Sequence, residues 1–169
     1  MALLHLAHLS QNTIDINVMI NTRAATITDS RDIFEWRNDE LTRKMSHTTD
    51  ILEWEGHSAW FASSLKNKNR LLLLCEDIND SKKIAVVRFD INSLRALVAI
   101  NLSPEMRGKG ISKQCLSESI EKFKNVFPQV VALDAEIKLE NIASQKVFKS
   151  VGFLNVRYDV TTMYFEYLI

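Results

Sequence analysis

Apolar residues along the chain recur in two rhythms, one helical and one alternating. Residues 18–27 (VMINTRAATI) read as a first strand, and Asp29-Ser-Arg-Asp32 then opens a short helix carrying Ile33, Phe34 and Trp36. His47-Thr-Thr is a loop. Asp50-x-x-Glu53 has the spacing of a capping box, in which the Asp50 carboxylate meets free amides of the first turn. The helix after it sets Trp54, His57, Phe61 and Leu65 on one face. From residue 70 the period falls to two. Residues 70–75 (RLLLLC) form a continuous apolar run, which suits a strand buried on both faces. In 83–91, Ala85, Val87, Phe89 and Ile91 share one face, and Arg88 and Asp90 the other. With 95–102 these runs make an antiparallel meander joined by short turns, which Ser103-Pro104 ends because proline cannot continue a ladder.

The helical period then returns over 110–124, with Ile111, Cys115, Ile120 and Phe123 on the apolar face, until Pro128 stops it. Residues 130–137 are a strand. Asn141 opens a helix of about ten residues that ends on Gly152 as a left-handed cap. Two closing strands follow at 153–158 and 161–168. The expected fold is one α/β domain over 18–169, with a mixed sheet and no repeat or linker. Residues 1–17 lack a basic start and a small-residue cleavage site, so they read as an N-terminal extension rather than a signal peptide.

Composition narrows the class. The 169 residues are 46% hydrophobic and 25% charged, as in ordinary globular domains. No apolar run approaches the ~18–20 residues of a membrane span. Lys and Arg together number 21, as do Asp and Glu, so a bulk basic surface for nucleic acid is not expected. Cys75 and Cys115 lack metal-ligand spacing and read as buried free thiols of a reducing compartment. The expectation is a cytoplasmic protein with no metal, nucleic acid or membrane partner. A homodimer is the assembly to test.

Only four glycines occur, and two of them stand in Leu102-Ser-Pro-Glu-Met-Arg107-Gly108-Lys109-Gly110-Ile111-Ser112, between a strand and a helix. Glycines at such a turn let successive N–H groups converge, and the helix N-terminus adds about half a positive charge. Arg107 and Lys109 add two full charges. The combination suits a pyrophosphate, although an ordinary tight turn is the plain alternative. The spacing is that of neither the Walker loop nor the dinucleotide fingerprint.

Together with a second motif, this loop resembles the GNAT acyl-CoA N-acetyltransferase superfamily. That family's loop reads Arg/Gln-x-x-Gly-x-Gly/Ala, and Arg107-x-x-Gly110-x-Ser112 departs from it only at the last position. Its second motif, Asn-x-x-Ala/Ser-x-x-x-Tyr/Phe-x-x-x-Gly-Phe, falls on Asn141, Ser144, Phe148, Gly152 and Phe153. The resemblance covers roughly residues 18–168. It implies acetyl-CoA as co-substrate and a fourth and fifth strand splayed into a V that takes the pantetheine arm. Ile100 and Leu102 would pair with the pantetheine amides, and Arg107, Gly108, Lys109, Gly110, Ile111 and Ser112 would hold the pyrophosphate. Asn141 and Ser144 would touch the CoA arm, and Asn141 also suits a helix N-cap.

Acetyl transfer to an amine needs a neutral nitrogen, a polarised carbonyl and a proton for the leaving thiolate. Many relatives carry a tyrosine where this chain has Phe148, which has no proton to give. Tyr158, Tyr164 or water are the remaining acids. Base candidates are Glu136, on the polar face of the fifth strand, and His47, in the loop before the second helix. His57 is read first as a packed helix residue.

Trp36-Arg37-Asn38-Asp39, His57-x-x-Trp60-Phe61 and Val87-Arg88-Phe89-Asp90 resemble the branch that acetylates nucleotide-linked amino sugars in pseudaminic-type pathways. There the Trp-Arg-Asn segment lines the acceptor side, which implies Trp36, Arg37, Asn38, Trp60 and Arg88 as acceptor residues. An indole can stack on a sugar or base and an arginine can meet a phosphate. Trp36 can equally anchor a helix in the core. The same segment occurs in branches acting on protein N-termini and polyamines, so the acceptor stays open among these amines. A CoA-binding module with little catalysis is a third reading, with Phe148 and Ser112 as its hints.

Overall fold

The alternating runs become one seven-stranded sheet, and the helical runs cover its two faces. A computed structural model describes residues 18–169; the segment read as an N-terminal extension lies outside the described residues. In chain order the elements are β1 (Ile20–Ala24), α1 (Ser30–Asn38), α2 (Glu40–Met45), α3 (Trp54–Lys66), β2 (Arg70–Asp77), β3 (Lys83–Asn92), β4 (Arg95–Leu102), α4 (Ser112–Val126), β5 (Ala132–Lys138), α5 (Ile142–Val151), β6 (Leu154–Tyr158) and β7 (Thr162–Leu168). The strands lie in the order β1-β2-β3-β4-β5-β7-β6. All neighbours are antiparallel except β4 and β5.

Two details differ from the sequence reading. The expected capping box at Asp50 does not form. Helix α3 starts one residue after Glu53, whose side chain makes no cap bond, because both backbone groups of Leu52 are held by the Asn38 amide. Helix α2 had no apolar rhythm to betray it, since it buries no side chain. It exists because Asp39 accepts the Thr42 N–H at 3.0 Å and caps it.

Strand parity sorts the core. Leu73, Cys75, Ala85, Val87, Phe89, Ala96, Val98, Leu133, Ala135 and Phe165 face α4 and α5. There Phe123 of α4 stacks on Phe89 at 4.3 Å, and Cys115 is fully enclosed, as is Cys75 beneath it. The opposite face of β2 and β3 offers Leu72, Leu74 and Val86 to Ile33, Trp36 and Phe61 of α1 and α3.

The β4–β5 ladder sets the site. It holds register for only three pairs, Arg95 with Ala132, Ala96 with Leu133 and Leu97 with Asp134. Arg95 fastens this closed end by bonding both Asp134 on β5 and Glu166 on β7. Past Leu97 and Asp134 the strands part, although β4 runs on to Leu102 and β5 to Lys138.

Phe123 is fully buried between two aromatic partners, Phe89 and Phe127. Phe123→Ala is expected to lower unfolding free energy by about 3–5 kcal/mol, read by urea titration. A loss below ~1 kcal/mol would show that this stack does not anchor α4.

Candidate active site

The parted strands open into a cleft of about 960 Å³. The Ser103 N–H bonds the Ile84 carbonyl at 2.8 Å, which fixes which β4 residues face β3. Alternation then turns the backbone groups of Ile100 and Leu102 away from β3, into the opening. The same parity on β5 follows from the Leu139 N–H bonding Thr161 of the β7 side, and it turns the backbone of Glu136 toward β4. Both walls therefore present unpaired strand edges, the arrangement that accepts an extended amide-bearing chain as an added strand.

At one end of the cleft lies the glycine loop. Gly108 and Gly110 have φ of 73° and 72°, the left-handed region that side chains rarely enter. Ile111 occupies the cap position of α4 and has no side chain able to cap it, and no acidic residue stands in the first turn. The first amides of a fifteen-residue helix are thus left for an outside acceptor. Arg107, Gly108 and Ser112 line the cleft. Lys109 and Gly110 are exposed beside it, and Ile111 turns into the core. Across from the loop, Asn141 caps α5 by accepting the Ser144 N–H at 3.1 Å. Asn141, Ser144 and Phe148 all line the cleft, and the Phe148 ring packs edge-on against Phe153.

The other end is walled by α1, α3 and the loop after α2. Of the acceptor residues expected from sequence, Arg37, Trp60 and Arg88 line the cleft. Trp36 does not; it is 7% exposed in the core under α1. Neither does Asn38, whose amide is fully engaged with the backbone of Leu52 at 2.8 and 2.9 Å. Neighbouring helix positions point about 100° apart, so the three consecutive residues cannot share a wall.

The charges here are unbalanced. Arg37 donates through Nη2 to the Thr48 carbonyl at 2.6 Å, while its Nη1 is buried without a hydrogen-bond partner among the described residues. Burial, and then the like charges of Arg88 and Arg43, hold the Arg37 guanidinium below its usual value. Arg43, which sequence reasoning missed, braces the loop through the Thr49 carbonyl. Arg88 Nε lies 2.9 Å from Asp90 but is not aligned for a hydrogen bond, and Asp90 is shared with Arg70.

Arg88 stands directly opposite Ala99 on β4. Continuing the β4–β5 register by two residues puts Glu136 level with Ala99 across the opening. At ~4.8 Å per strand the row runs arginine, a bare methyl, carboxylate, over about 10 Å or more. Glu136 also borders a second hollow of about 450 Å³ lined by residues of β3, β4, β5, β6 and β7.

The other acid and base candidates separate. His47 is exposed on the cleft rim. Tyr158 is 74% exposed on β6 and lies outside the cleft. Tyr164 also lies outside it, donating to Asp159 at 2.8 Å, and that bond pushes its phenol above the usual value. His57 lines the cleft floor but is 5% exposed among aromatic rings, with Nε2 donating to the Ser30 carbonyl at 3.0 Å. Burial pulls its pKa down against the opposing effect of that bond.

Comparison with known proteins agrees with this geometry. The chain matches the acetyltransferase (GNAT) domain family over residues 20–154. No curated protein matches it. A spermidine N-acetyltransferase from Vibrio cholerae, solved with CoA and spermine, superposes with a TM-score of 0.81 at 15% identity, covering 88% of this chain and 95% of that one. A domain from Methanocaldococcus jannaschii gives 0.77 at 24% identity, over 90% of this chain and all of the other. A dodecameric form of the Vibrio cholerae enzyme gives 0.72 at 17%, over 88% and 93%. At these identities the likeness shows the fold. Among the described residues no helix is long and apolar enough to cross a membrane, and no group of three His, Cys, Asp or Glu is placed to hold a metal ion.

Two measurements probe the site. Gly110→Gln is expected to weaken acetyl-CoA binding at least about tenfold, or 1.4 kcal/mol, in calorimetry, because the loop loses its left-handed turn; unchanged affinity in the folded variant would remove the loop from the site. His57 has a folded pKa below its unfolded value near ~6.5, so the unfolded chain takes up its proton first. Stability attributable to His57 is therefore complete above ~6.5 and is lost as pH falls through the folded pKa. Urea unfolding at pH 7.5 and 5.5 is expected to show a smaller pH-dependent loss for His57→Gln than for the wild type. From its fold, its loop and the match over most of its length, the chain belongs to the GNAT family of acetyl-CoA-dependent N-acetyltransferases.

Proposed function

We propose that the protein acetylates the primary amine of a small molecule that also carries an anionic group, with a nucleotide-linked amino sugar as the favoured acceptor. The observation that carries this reading is the pair of guanidinium groups, Arg37 and Arg88, at the acceptor end of the cleft, with a buried Arg37 nitrogen left unbonded among the described residues. A buried donor without a partner costs about 1–3 kcal/mol, and an acceptor phosphate or carboxylate would relieve it. Trp60, 37% exposed at the same wall, offers a face for a sugar or base.

In the reaction, the amine nitrogen forms a bond to the thioester carbonyl carbon, the C–S bond breaks, and CoA leaves as thiolate. The amine loses one proton and the thiolate gains one. Glu136, across the V from Arg88, is the base favoured by position, with His47 on the rim as the alternative. Phe148 has no proton to donate, and Tyr158 and Tyr164 stand outside the cleft. Solvent is therefore assigned the proton for sulfur. A sugar amine beside electron-withdrawing oxygens has a pKa nearer the ~7.7–8.0 of an α-amino group than the ~10.4 of lysine, so a weak base suffices. The site is assigned to a cytoplasmic protein, in keeping with its two enclosed free thiols.

A polyamine acceptor is the second reading, favoured by the spermidine N-acetyltransferases among its structural neighbours. Against it stands the cost of bringing a polycation beside Arg37, Arg43 and Arg88, since like charges at close range repel.

A panel of amines decides, with free CoA as readout. Turnover is expected with a UDP-linked amino sugar, with the free sugar much poorer. Arg37→Ala is expected to lower kcat/KM for the conjugate at least about tenfold, about 1.4 kcal/mol, and to erase most of the preference. Turnover of spermidine without turnover of any anionic amine would replace this reading with the second.

A further inference from the structure

The arginine of the glycine loop is already engaged. Arg107 Nη1 lies 2.7 Å from an Asp39 carboxylate oxygen, and its Nη2 donates to Thr42 Oγ1 at 2.6 Å. The same carboxylate accepts the Thr42 N–H and caps α2. Burial pushes the Asp39 carboxyl up, but the Thr42 amide and the Arg107 guanidinium outweigh it and hold it below the usual carboxylate range. Thr42 Oγ1 donates onward to Asn101 of β4 at 3.3 Å, and Lys138 of β5 reaches the Lys44 carbonyl at 2.9 Å. Helix α2 thus spans from one arm of the V to the other. It buries no side chain of its own, so polar ties rather than a core hold it there. Its inner side supplies Leu41, Thr42 and Met45 to the cleft wall.

An arginine adjacent to Gly108 has two anions within its reach when CoA binds. One is Asp39; the other is a pyrophosphate on the loop amides and the open N-terminus of α4. A guanidinium fork pairs either, but a phosphate carries more charge and is held by further donors. We propose that Asp39 is a positioning residue that competes with the CoA pyrophosphate for Arg107, so that CoA binding unlatches α2 from the loop and loosens the acceptor wall. This rests on the reading that the loop takes the CoA pyrophosphate. Asp39 then sets CoA affinity without touching CoA, and it links occupancy of the CoA end to the width of the acceptor end.

Calorimetric titration of CoA into wild type and Asp39→Asn tests it. Asparagine keeps the helix cap but not the charge, and Asp39→Ser provides a second capping replacement should the first fail to fold. Removing the competitor is expected to tighten CoA about two- to fivefold, the range for a partly exposed ion pair. Two further arms separate competition from a structural effect. Pantetheine, which has no pyrophosphate, is expected to bind both proteins equally, and in an Arg107→Gln background Asp39→Asn is expected to leave CoA affinity unchanged. The proposal is overturned by CoA binding that is no tighter in either folded variant, by equal tightening for pantetheine, or by tightening that persists without Arg107. Wild-type protein that binds no CoA would instead overturn the reading of the loop itself.

Discussion

Everything functional in this fold depends on two parallel strands that stop pairing. Strands β4 and β5 hold register for three residue pairs and then diverge, while each remains tied on its other side to an antiparallel neighbour. A backbone edge left unpaired inside a sheet is costly unless something bonds it. The divergence therefore creates a demand for an extended, amide-bearing ligand in the middle of the molecule. Arg95, bonding both Asp134 and Glu166, fastens the end that stays paired. The glycine loop follows directly from β4 and the second motif helix follows directly from β5, so both arms of the V deliver their ligand groups to the same opening.

The walls of that opening are charged unevenly, although the chain as a whole is neutral. The carboxylates near the arginines are mostly committed: Asp90 between Arg70 and Arg88, Asp39 to Arg107, and Asp29 to Arg23 and Lys83. Among the described residues Arg37 bonds only a carbonyl, and the charges that act on it are those of Arg88 and Arg43. A neutral composition thus conceals a local excess of positive charge, produced by how ion pairs are distributed and not by how many charged residues there are.

The strands, the meander, the proline stop, the loop and the second motif helix were all legible in the chain, because each has a local cause: alternation, a turn residue or a cap. The V was not readable from periodicity, since its strands alternate as regularly where they part as where they pair; only the resemblance implied it. Trp36 and Arg37 show the limit most clearly. They are adjacent, yet one is buried under α1 and the other faces the cleft. Which of two neighbours points inward is set by how α1 seats on Leu72, Leu74 and Val86, a tertiary fact. Helix α2 was missed because its stability comes from one cap and a few polar ties to distant residues. The only signal for it was Asp39 three residues ahead of Thr42, which is easily read as loop.

The enclosed thiols have a consequence at the bench. Cys75 on β2 and Cys115 on α4 are the chain's only sulfhydryl groups, and both are wholly shielded under the main core. A bulky aromatic disulfide dye reaches neither while the protein is folded, yet reacts with each molecule of CoA released by acetyl transfer. The catalyst is therefore spectrally silent in the colorimetric assay its own reaction invites. Any slow appearance of two equivalents of colour without an amine would report the protein unfolding.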